Sequence, residues 1–144
     1  MKVSILFGNA VFFGAALVDK ADARYCFDSG EAMHMGTIKF HAERACRGYS
    51  GQRGTFQGVF EPGQKKTACV NVPEQGKHLK MEVINKNKQQ SFDLKDDDCY
   101  SEFVRLINGC RVRVNGPPPD HSRGGRDDVS GWHFRFDPNS GLGC

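Results

Sequence analysis

Apolar residues recur along the chain with two different periods, and the points where the period changes mark out the elements. Ile38, Ala42, Ala45 and Cys46 fall three or four positions apart with Lys39, Glu43 and Arg44 turned away from them. This pattern predicts an amphipathic helix capped by Thr37 and ended by Gly48. Cys99, Phe103, Leu106, Ile107 and Cys110 repeat the helical spacing, with Asp97 or Asp98 placed to cap the start and Gly109 to end it. Elsewhere the period drops to two. Ala68, Val70 and Val72 alternate with Thr67, Cys69 and Asn71, and Leu79, Met81 and Val83 alternate with polar neighbours. Val112 and Val114 alternate with Arg111 and Arg113, and Trp132, Phe134 and Phe136 with His133 and Arg135. Thr55–Phe60, the patch Tyr25–Phe27 and a brief edge at Ser91–Leu94 complete the expected strands, with turn chemistry at Asp28–Glu31, Tyr49–Gly54, Glu61–Gly63 and Asn85–Gln90. Two amphipathic helices and about five one-sided strands are satisfied by an α+β fold. The expected form is a two-layer α/β sandwich whose antiparallel sheet is covered on one face by both helices.

Residues 1–23 stand apart from this pattern. Lys2 is followed by an apolar run from Val3 to Val18 and by Ala21-Asp22-Ala23, the layout of a cleaved secretory signal peptide. The run is short for a bilayer, which needs roughly 17 to 25 apolar residues, and it contains Asn9. Secretion with a single mature domain over 24–144 is therefore expected, with no stable membrane insertion after cleavage. All six cysteines lie in that mature part: Cys26, Cys46, Cys69, Cys99, Cys110 and Cys144. An even count in a short secreted chain reads as three disulfides, and without a C-x-x-C pair zinc has little support. Cys46 ends the first helix and Cys99 starts the second, both facing inward, so antiparallel helix packing would join them. Closing that loop of roughly 50 residues is worth ~4 kcal/mol in the chain-entropy model. Spacing does not decide the other two pairs. The net charge of +3 is unchanged by loss of the leader, which carries two lysines and two aspartates. A charge of this size does not point to nucleic acid as a partner.

The order of the cysteines, with Asn108-Gly109-Cys110-Arg111-Val112 and a terminal Cys144, resembles the small fungal killer toxins of the smut type. The ending Gly124-Gly125, Gly131-Trp132-x-Phe134-x-Phe136-Asp137-Pro138-Asn139 and Gly143-Cys144 is similar to the secreted mushroom glycan-binding proteins of the Y-three type. The toxin likeness implies Cys26–Cys110, Cys46–Cys99 and Cys69–Cys144 as the pairs. It also ties toxicity to a lysine just before Cys69, where Lys65 and Lys66 are near and Thr67 takes the closest position. The glycan-binding likeness implies sugar contacts at Gly30 and along Gly124, Gly125, Arg126, Asp127 and Asp128, with Val129 where an acidic residue would be expected. Together these imply a non-enzymatic, lectin-like recognition or effector protein of a fungus, acting on glycans or glycoproteins outside the cell. A homodimer is compatible with this, and no cofactor or metal is implied. A killer-toxin-like protein acting on membrane ion channels is the first alternative.

Among the residues themselves, the stretch Asn115–Gly131 reads as a long loop, stiffened by Pro117, Pro118 and Pro119 and carrying Asp120, His121, Arg123, Arg126, Asp127 and Asp128. Loops of this length are usually functional or disordered connections. Planar donors and acceptors of this kind suit sugar hydroxyls, whereas Trp132, in phase with Phe134 and Phe136, suits the core better than a stacking platform. His133 and Arg135, with Arg111, Arg113 and Glu82, would share a solvent-facing sheet surface. That surface has the acid–base and phosphate-binding groups a small secreted ribonuclease needs, the second alternative, although a merely solvated basic face explains them too. His41 and His78 are expected at the surface. Asp96, Asp97 and Asp98 are expected to cap the second helix rather than to hold calcium.

Overall fold

The structure, a computed structural model, describes residues 24–144; the expected leader lies outside the described residues. Strands β1 (Tyr25–Cys26), β4 (Lys65–Val72), β5 (Lys77–Asn85), β9 (Gly125–Val129) and β10 (Trp132–Ser140) form one five-stranded antiparallel sheet in the order β1-β9-β10-β5-β4. Helices α1 (Met35–Arg47) and α2 (Asp96–Gly109) bury their apolar faces in the same core as the sheet. Two smaller pieces complete it: a three-stranded sheet β2 (Met33–His34), β8 (His121–Ser122) and β7 (Arg111–Val112), and a pair β3 (Val59–Phe60) and β6 (Phe92–Asp93). The expected α+β architecture is present.

The period-two pattern is what positions the sheet. On β10 Phe134 and Phe136 are buried and lie opposite Val83 and Met81 of β5, which are also buried, while His133 and Arg135 turn to the other side. Phe103 of α2 meets Phe134 edge-on at 5.3 Å between centroids and stacks on Phe56 at 5.7 Å, so helix, loop and strand share one aromatic layer. Trp132 packs edge-on against Phe60 at 5.1 Å, the core role its phase indicates. The β9–β10 turn is two residues long, Ser130-Gly131, both with positive φ (51° and 85°), the geometry that matches strand twist in a tight hairpin.

Three disulfides join Cys26–Cys110, Cys46–Cys99 and Cys69–Cys144, the pairs the resemblance implied. The Cys46–Cys99 bridge sits where the end of α1 meets the start of α2. There Arg47 also donates to Asp97 at 2.8 Å.

Several local expectations are corrected. The first helix is capped by the last residue of β2, His34, whose Nδ1 accepts from the Gly36 N–H at 3.1 Å; Thr37 is already inside the helix. No side chain caps α2: Lys95 holds the cap position, and Asp96–Asp98 fill the first turn, where their charges oppose the positive end of the helix dipole. Asp96 instead accepts from Gln57 at 2.7 Å. Gly109 is the last residue of α2 and has no positive φ. Only Val59–Phe60 of the expected Thr55–Phe60 strand is a strand, and Met33–His34 is a strand that the sequence pattern did not mark. The largest correction is at Asn115–Gly131, which is not an irregular loop: β8 and β9 occupy much of it. His78 is buried, its ring bonded to the Gly141 carbonyl at 2.8 Å.

Candidate functional site

Because Gly125–Val129 is a strand, its side chains alternate. Arg126 and Asp128 face outward, and Asp127 faces inward with its side chain only 4% exposed. Asp127 Oδ2 accepts from Arg105 of α2 at 2.6 Å, and Oδ1 has no hydrogen-bond partner among the described residues. Asp127 is thus a tie between sheet and helix, and its carboxylate is not open to a ligand. The two glycines before it are buried for a similar reason. A side chain at Gly124 would meet the Phe136 carbonyl at 2.6 Å and the Phe27 ring at 2.8 Å; one at Gly125 would meet Cys110 Sγ at 2.7 Å. Their bare backbone admits the Cys26–Cys110 disulfide, β1 and the Phe27 ring. Gly30 is exposed in a turn with φ 98°, its carbonyl accepting from Arg123 at 2.8 Å. Of the six residues that the resemblance marked, only Arg126 and Asp128 present side chains on the outer sheet face.

That face nevertheless gathers a coherent group. Tyr25 on β1 lies opposite Arg126 on β9, whose guanidinium carbon stands 5.1 Å from the Tyr25 ring centroid. His133 on β10 pairs in register with Asp128, and its Nδ1 lies 2.6 Å from Oδ1; Lys86 donates to the other oxygen at 3.0 Å. With Nδ1 donating, a neutral His133 ring keeps Nε2 as an acceptor. Tyr25, Arg126, Asp127, Asp128 and His133 line a shallow cleft of about 250 Å³. Beside it Arg135 stands between Arg126 and Glu82 in the strand register and donates to Asp137 at 2.8 Å. Arg111 and Arg113 do not join this surface. Arg111 belongs to β7 in the small sheet, and Arg113 follows that strand. A two-residue strand next to a cysteine gives no periodic signal at Tyr25; only its pairing to β9 brings it to this cleft.

Burial raises the Asp128 carboxyl pKa, but hydrogen bonds from His133 and Lys86 outweigh it and hold the group below its ordinary 3.8. A depressed carboxylate pKa means that the contacts contribute fully above the ordinary value and are lost as pH falls through the lowered one. An NMR titration of the Asp128 carboxyl carbon should therefore show a midpoint below 3.8, and Lys86→Ala with His133→Ala should return it toward that value. A midpoint at or above the ordinary value in the unmodified protein would contradict the arrangement.

The acidic run makes separate local contacts, Asp96 with Gln57 and Asp97 with Arg47. Among the described residues no group of three or more His, Cys, Asp or Glu side chains is placed to hold a metal ion. None of the described helices is long and apolar enough to cross a membrane. The molecule is thus defined as a disulfide-stapled α+β domain with a polar, aromatic-edged cleft on the open face of its sheet. No protein-family model matches the chain, and no curated protein matches it.

Proposed function

We propose that this is a secreted, non-enzymatic glycan-binding protein of the lectin or effector kind, with its site in the cleft of β1, β9 and β10. The observation that carries this reading is Tyr25, half exposed at 50%, standing beside Arg126 and the Asp128–His133 pair in one shallow cleft. An aromatic face for the apolar side of a sugar ring and planar hydrogen-bonding groups for its hydroxyls are the two elements that carbohydrate recognition requires. Three disulfides support an oxidising compartment, and the secretory layout of the leader agrees with it. Exposed hydrogen bonds contribute only about 0.5 to 1.5 kcal/mol each, so single-site binding is weak and clustered glycans bind by avidity.

The test is a glycan array probed with the oxidised protein, followed by titration of the best ligand. Tyr25→Ala and Arg126→Ala should each weaken binding at least tenfold. The melting temperature should stay within a few degrees, because both side chains lie outside the core. Binding that survives both substitutions would place the site elsewhere.

One observation favours a second reading. The 2.6 Å Asp128–His133 pair, with Arg126, Arg135 and Glu82 in the adjacent row, supplies an oriented imidazole next to cationic groups, as phosphodiester cleavage needs. RNA cleavage that disappears in His133→Ala would establish it; no cleavage by the unmodified protein would remove it.

A further inference from the structure

At the opposite edge of the sheet, a second cavity of about 290 Å³ lies between the C-terminal half of α1, the turn at 49–54 and edge strand β4. His41, Arg44, Tyr49 and Arg53 line it, and among the described residues no acidic one does. The Arg44 guanidinium carbon lies 4.2 Å from the Phe40 ring centroid and 3.9 Å from that of Tyr49, and both rings are themselves exposed. Among the described residues Arg53 donates only to the Gln57 carbonyl, at 3.3 Å. Neither arginine has a carboxylate partner among the described residues, in contrast to Arg47, Arg105 and Arg135, which all do. Two guanidinium groups and an imidazole are thus gathered at one cavity, with no carboxylate among the described residues that line it. Cation–π contact with two rings fixes the plane of Arg44 and leaves its N–H edge to donate. Burial and then the neighbouring Arg44 lower the His41 pKa, and Glu74 opposes them.

We propose that this cavity binds a tetrahedral oxyanion, the sulfate or phosphate monoester of a sugar, with Arg44 and Arg53 as the paired donors, His41 as a third and the Tyr49 ring against the sugar. Guanidinium forks match such oxygens in bidentate geometry, and charge-assisted bonds of this type are roughly twice as strong as neutral ones. The site is independent of the cleft at β1, and the two lie at opposite edges of the sheet. An acidic polysaccharide carrying such esters would be held at both.

Histidine ring resonances separate the two sites, since His41 lines this cavity and His133 the other. The oxidised protein is titrated with glucose 6-phosphate, glucose 6-sulfate, inorganic phosphate, inorganic sulfate and glucose. The expected result is saturable movement of the His41 signals by the esters, with the inorganic ions weaker, glucose inactive and His133 unmoved. Arg53→Gln and Arg44→Lys should each weaken ester binding at least tenfold; lysine keeps a cation over the rings but loses the fork. Arg53→Gln decides the matter if Arg44→Lys fails to fold. Equal affinity for esters and inorganic ions would overturn the sugar part of the proposal. Absence of saturable shifts, or unchanged affinity in Arg53→Gln, would overturn the site itself. Neither outcome bears on the glycan cleft, whose reporter is His133.

Discussion

Replacing Cys46 and Cys99 together by alanine should lower the unfolding free energy by about 4 kcal/mol, the chain-entropy value for a loop of this length. The sequence separation is 53 residues, and both cysteines are fully buried at the junction of the helices. The lost sulfur packing adds to the entropic part, because these side chains are in contact with the core that Phe103 and Ile38 fill. For a domain of this size the melting temperature should fall on the order of 15 °C. Denaturant unfolding of the double variant against the oxidised parent measures this directly. A loss below about 1 kcal/mol would mean that the Arg47–Asp97 contact and the shared aromatic layer hold the helix junction without the bridge.

Arg105→Met should produce the second large effect, about 2 kcal/mol of destabilisation, by leaving the Asp127 carboxylate against α2 with no cation. The full cost of breaking a buried pair is higher, but the Arg105 side chain is 45% exposed and water already screens part of the attraction. Glu102 provides the internal control. It binds the same guanidinium at 2.7 Å from one turn away on the helix surface, and Glu102→Gln should cost no more than about 0.5 kcal/mol. Combining Arg105→Met with Asp127→Ala should recover part of the loss, since the buried charge is then gone. If the double variant is as unstable as the sum of the single ones, Asp127 does not depend on Arg105, and the tie between sheet and helix carries no coupling.

Residue periodicity made most of the scaffold legible. Ala42, Ala45 and Cys46, or Phe134 and Phe136, reveal their buried sides because a helix and a strand return side chains to one face at fixed intervals. The helix-end positions of Cys46 and Cys99 were sufficient to bring them together, because two inward-facing cysteines at one junction have few other partners. At Asn115–Gly131 the same reading failed. Gly, Pro and Asp are poor strand formers by themselves, and Gly125–Val129 becomes a strand because β1 and β10 supply hydrogen-bond ladders on both sides. That change separates Asp127 from Asp128 and sends adjacent aspartates to opposite faces.

The sequence by itself thus determined the helices, the longer strands, the inward set of apolar residues and the junction of the two helices, all of which depend on local periodicity. The tertiary structure decided what lies next to what on the surface. Tyr25 meets Arg126, and His133 meets Asp128, through strand order and register. Arg44 and Arg53 meet at one cavity because the turn after α1 folds back along it, the Phe56 N–H bonding to the Ala45 carbonyl at 2.9 Å. Pairings between distant segments are set by the cooperative closure of the core, and no spacing along the chain encodes them.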